Sequence, residues 1–68
     1  MNIGRSIKIA QEIKGISNVV IALDFDVHVQ QVSRWRNASD VKISLASKLA
    51  DYFDMRLEDF VSLANDPD

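Results

Sequence analysis

Four side chains crowded into five positions, Gln30, Gln31, Ser33 and Arg34, carry the donors and acceptors needed to read DNA base edges. A glutamine amide can pair bidentately with adenine N6 and N7, and a guanidinium with guanine O6 and N7. Each well-formed pair of this kind discriminates against a wrong base by roughly 1 to 3 kcal/mol. Taken alone, the same residues would equally make a solvated helix face, because polar side chains at a surface require no function. Their setting decides between the two.

The surrounding segment, residues 18–37 (NVVIALDFDVHVQQVSRWRN), places apolar residues where a helix-turn-helix needs them. Ala22 is small where two helices must cross, and Asp26 serves as a turn residue. Val27 is apolar just after it, and Val32 is a β-branched anchor five positions further on. Ile21, Phe25 and Trp35 complete the frame. At helical spacing this frame leaves the four polar residues outside.

The other elements follow from the same periodicity. Ile3, Ile7, Ala10 and Ile13 predict a first helix over residues 2–14, with one apolar face inward and Gly15 as its stop. Ser17 is the expected N-cap of a second helix running through Phe25, with Ile21, Ala22 and Phe25 facing in. Val19, Val20 and Ile21 favour a strand by propensity, yet neither alternation nor a hairpin partner supports one. A third helix follows His28 and runs to about Arg36, with Val32 and Trp35 as its inner residues. After a polar loop, Leu45, Leu49, Ala50 and Phe53 mark a fourth helix, and Leu57, Phe60, Val61 and Ala64 a short fifth. The expectation is an all-α domain of five short helices over residues 1–64, with a fraying acidic tail over 65–68. Phe25-Asp26-Val27 and Phe53-Asp54-Met55 each follow a helical stripe. Both read as helix ends, since Asp tolerates the left-handed conformation better than most residues.

Composition narrows the function classes. A chain of 68 residues with 47% apolar content suits one small core, whose marginal stability favours pairing with a second copy. There is no cysteine, so disulfides and thiolate metal sites are excluded, and the single histidine cannot hold a metal alone. No cofactor or small-molecule ligand is expected. The longest apolar run, residues 19–23, is far short of the roughly 20 residues that span a bilayer. The N-terminus, with Arg5 and Lys8 among spaced isoleucines, lacks a signal-peptide core, so a cytoplasmic protein is expected. The net charge of −2 runs against the basic balance usual in nucleic-acid binders. Its distribution offsets this, because residues 1–50 carry +3 and residues 51–68 carry −5. A phosphate backbone is drawn to the first part and repelled by the second.

At Ile21-Ala22, Phe25-Asp26-Val27-His28, Val32-Ser33-Arg34-Trp35 and the later Leu49-Ala50 with Phe53-Asp54-Met55, the sequence resembles the Cro and C repressor family of phage regulators. These are the Xre-type helix-turn-helix proteins, and the resemblance spans about residues 3–63. It implies a lambda-repressor-like fold and a homodimer on operator DNA. Carried over by position, the base-reading surface would be Val29, Gln30, Gln31, Ser33 and Arg34, with Val29 packing on a thymine methyl. Asn18 resembles the position where members hold a phosphate, assisted by the donors and dipole of a helix N-terminus. Arg36, Asn37, Ser39 and Lys42 would follow the backbone on the far side of the reading helix. Asp26 and Asp54 stand where the family commonly has glycine, and Ala38 where a glycine often closes the third helix.

Several residues have plainer readings. Trp35 could stack on a base, but its alignment with Val32 predicts core burial. His28 reads as a helix cap or phosphate contact. Asp51, Asp54, Glu58 and Asp59 lack the loop pattern of a calcium site and read as a solvated face. Leu57, Phe60, Val61 and Leu63 either close the core or contribute to a dimer contact. No nucleophile and base stand at a suggestive spacing, so no enzyme is expected. The chain reads as a small phage or prophage regulator binding a pseudo-palindromic operator as a dimer. The alternative is a protein-interaction module of the same fold, an antirepressor or antitoxin that binds another regulator.

Overall fold

Side-chain caps start the first two helices. Asn2 caps the first helix with its side-chain oxygen on the Arg5 N–H at 3.0 Å, and Ser17 caps the second through Val20 N–H at 3.3 Å. In the computed structural model, which describes residues 2–65, the elements are α1 (Ile3–Lys14), α2 (Asn18–Phe25), α3 (Val29–Asn37), α4 (Ile43–Tyr52) and α5 (Leu57–Ser62). A 3-10 turn, Leu63–Asn65, closes the described chain. The fold is all-α, and no strand occurs among the described residues. The propensity of Val19, Val20 and Ile21 for a strand is overridden by packing of the other face of α2. Of the expected tail, Asn65 ends the 3-10 turn, and Asp66, Pro67 and Asp68 lie outside the described residues.

Three helix ends share one device. After α1, α2 and α4 comes a left-handed residue: Gly15 at φ 67°, Asp26 at φ 56° and Asp54 at φ 59°. In each case the next N–H reaches back five residues, from Ile16 to Gln11, Val27 to Ala22 and Met55 to Ala50, at 3.1, 3.0 and 2.9 Å. Ile16, Val27 and Met55 then pack on the core, as a Schellman closure requires. The echo between Phe25-Asp26-Val27 and Phe53-Asp54-Met55 is therefore two copies of one turn. Helix α3 ends differently, with Ala38 extended at φ −83°, ψ 143°, so no glycine is needed there.

The core joins Ile3, Ile7 and Ala10 of α1 to Ile21, Ala22, Val32, Ala46, Leu49, Ala50, Phe53 and Phe60. An aromatic chain crosses four helices: Trp35 edge-on to Phe25 at 5.7 Å, Phe25 to Tyr52 at 5.1 Å, Tyr52 to Phe53 at 5.3 Å, and Phe53 to Phe60 at 5.9 Å. Trp35 is half-buried and belongs to this packing. Ile13 departs from expectation, with 58% of its surface exposed. Leaving α1 through Gly15, the chain folds over the Gln11 side, so α2 and α3 cover Gln11 and leave Ile13 in solvent. No helix among the described residues is long and apolar enough to cross a membrane.

Candidate nucleic-acid interface

Helix α3 is fastened by its inner side. Val32 is fully buried and Trp35 half-buried against Phe25, while residues 26–28 join α2 to α3. At about 100° per residue, Gln30, Ser33, Arg34 and Asn37 then lie within an arc of about 100°, with Val29 at its edge. Val29, Gln30, Arg34 and Asn37 are exposed, and Ser33 is half-buried. The expected reading residues thus come together on one face, with one exception of degree. Gln31 lies about 60° beyond Arg34, toward the Trp35 side, and is half-buried. Asn37, assigned by sequence to the DNA backbone, shares the face of Gln30 and Arg34.

The expected backbone contacts divide into two groups. His28, Ser39 and Lys42 are exposed around the ends of α3 and the loop after it. His28 occupies the N-cap position of α3, but its side chain makes no capping bond, so the cap reading is not realised. Asn18 and Arg36 are half-buried and meet each other, with Arg36 Nη1 donating to Asn18 Oδ1 at 3.3 Å. Arg36 therefore lies against the start of α2.

The start of α2 retains free donors. Ser17 takes up the N–H of Val20, and Ile21 N–H bonds to Ser17 O at 3.2 Å. Among the described residues, the N–H groups of Asn18 and Val19 and the side-chain Nδ2 of Asn18 make no hydrogen bond. A helix N-terminus with open donors suits an anion. The start of α1 is closed by contrast, since Ile3 and Gly4 donate to the carbonyls of Ser39 and Ala38 at 3.0 and 3.1 Å.

Two residues important to this arrangement escape sequence reading. Gly4 sits where a Cβ would lie 2.3 Å from the carbonyl oxygen of Arg36 and 2.6 Å from that of Ala38. Its only sequence signal is a glycine inside a helix, which local propensity disfavours. Gln11 is buried, and its Nε2 donates to Ile16 O at 3.2 Å and to Asn18 Oδ1 at 2.8 Å. Its signal was available: with Ile3 and Ile7 it makes an i, i+4, i+8 series, a polar residue on an apolar stripe.

Among the described residues, no group of three or more His, Cys, Asp or Glu side chains is placed to hold a metal. The acidic residues Asp51, Asp54, Glu58 and Asp59 are all exposed. Comparison with protein-family models, with curated proteins and with solved structures finds no match.

Proposed function

We propose that the protein is a sequence-specific DNA-binding regulator of the Cro or C repressor type, acting in the cytoplasm as a dimer on a pseudo-palindromic operator. The observation that carries this reading is the exposed face of α3, where Val29, Gln30, Ser33, Arg34 and Asn37 stand together on a helix held rigidly from behind. Such a face offers an amide for adenine, a guanidinium for guanine and a methyl-sized contact for thymine. The open donors at the start of α2 support a phosphate contact beside it. In a dimer the two reading helices would enter successive major grooves about 34 Å apart. Repression then needs only occupancy of the site.

The test is binding to the DNA upstream of its own gene across a salt series, with Gln30→Ala and Arg34→Ala in parallel. Affinity should fall steeply with salt, and each substitution should cost roughly 1 to 3 kcal/mol on the preferred site. Weak binding that ignores both sequence and substitutions would overturn the reading.

One observation favours a second reading. Val19 and Leu23, one turn apart on the outer side of α2, are 57% and 75% exposed, an apolar ridge that DNA reading does not use. An interaction module that binds another regulator would place such a ridge at its contact. A Leu23→Ser variant that loses a co-purifying protein while its DNA binding is intact would support that role.

A further inference from the structure

We propose that Gln11 is a positioning residue for the phosphate contact at the start of α2, acting through the orientation of the Asn18 side-chain amide. The inference rests on the DNA-binding reading above. Gln11 is nine-tenths buried, with 9% of its surface exposed, and lines a cleft together with Lys8, Glu12, Ser17, Asn18 and Arg36. Two donors converge on one oxygen there, Gln11 Nε2 at 2.8 Å and Arg36 Nη1 at 3.3 Å from Asn18 Oδ1. With its acceptor so engaged, Asn18 has only its Nδ2 left to offer, and that group is a donor, as a phosphate oxygen requires. Among the described residues, Gln11 Oε1 and Arg36 Nε are buried without hydrogen-bond partners.

The choice of a neutral amide at position 11 matters for charge. Among the described residues, no carboxylate forms an ion pair with Arg36, and its half-buried guanidinium donates to the neutral Asn18 amide. A carboxylate in place of the Gln11 amide would complete an ion pair and gain nothing from Asn18 Oδ1, since two acceptors repel. The Asn18 amide would then turn over, giving Nδ2 to the new carboxylate and presenting Oδ1 outward. The change swaps a donor for an acceptor at the phosphate and neutralises Arg36 beside it.

The experiment is a double-mutant cycle of Gln11→Glu and Asn18→Ala, read on a random-sequence duplex of about 20 base pairs across a salt series, because backbone contacts do not depend on the operator. Expected are a loss of affinity in Gln11→Glu at least as large as that in Asn18→Ala, and a loss in the double variant smaller than the sum of the two. The slope of log affinity against log salt should become shallower in Gln11→Glu, whose carboxylate neutralises Arg36, and stay at the wild-type value in Asn18→Ala, which removes a neutral donor. Wild-type affinity and slope in Gln11→Glu, or a loss that adds in full to that of Asn18→Ala, would overturn the proposal while leaving the DNA-binding reading intact. Absence of binding by the wild type would overturn both. Should Gln11→Glu fail to melt cooperatively, Gln11→Met removes the donor without adding charge, and the same non-additivity with Asn18→Ala is required of it.

Discussion

The Tyr52 hydroxyl donates to Asp24 Oδ2 at 2.6 Å, a bond between residues 28 positions apart that ties the last turn of α2 to the end of α4. Because Tyr52 also packs edge-on to both Phe25 and Phe53, its ring and its hydroxyl hold the same junction by different forces. Position of α2 over the core, and with it the frame on which α3 rests, depends on that junction.

Burial and the neighbouring Asp24 carboxylate push the Tyr52 hydroxyl up to about 12 from its ordinary 10. The folded state thus keeps a proton that the unfolded chain releases above pH 10. The stabilisation is fully present below pH 10 and is lost as pH rises through 12. Tyr52 is the only tyrosine of the chain, so phenolate absorbance reads its titration directly. We expect a midpoint well above 10 in the folded protein and near 10 in denaturant. Tyr52→Phe should cost about 1 kcal/mol at neutral pH and flatten the fall in stability between pH 10 and 12. An unshifted midpoint would refute the coupling.

Gly4→Ala tests the seat of α1 on the end of α3. In an ordinary helix position this substitution would stabilise, because alanine is the better helix former. Here the added methyl meets the backbone carbonyls of Arg36 and Ala38, and neither can yield without moving the loop after α3. We expect a loss of about 1 to 3 kcal/mol, measured by denaturant unfolding monitored through Trp35 fluorescence. A gain in stability would show that the contact relaxes freely.

Asp26→Gly and Asp54→Gly should each be neutral or stabilising by up to about 1 kcal/mol, since both residues are left-handed, where a Cβ is penalised. Asp26 does not cap α3, whose N-terminus has no side-chain cap bond. Asp26→Val should be clearly destabilising, as a β-branched residue is poorly tolerated at positive φ. Thermal melts of the three variants check the order. Destabilisation by Asp26→Gly would mean that its carboxylate does work the left-handed turn does not require.

What the sequence reveals here is mainly periodic. The Ile3, Ile7 and Ala10 stripe, the Ser17 cap and the two Phe-Asp turns locate four of the helix ends within a residue or so, because spacing and capping are local properties. Gly4 and the Asn18–Arg36 contact are not local: each joins residues 18 or more positions apart, and no short window contains both partners. Ile13 fails for the same reason. Its spacing is right for the stripe, but the path of the chain after Gly15 decides which flank of α1 is covered.

The site contains a comparable distinction between the two adjacent glutamines. Spacing alone places Gln30 and Gln31 together as equal candidates, whereas the helix turns them about 100° apart. Gln30 stands with Ser33, Arg34 and Asn37 in the open, and Gln31 is half-buried toward Trp35. If α3 enters the major groove on its exposed face, Gln30→Ala and Arg34→Ala should each lose roughly 1 to 3 kcal/mol on the operator and relax selection at one base pair. Gln31→Ala should cost less than either. Competition binding against duplexes substituted one base pair at a time separates the three. A larger and base-specific loss in Gln31→Ala would mean that α3 is rolled toward its Trp35 side in the groove, and the reading face would then run through Gln31 in place of Asn37.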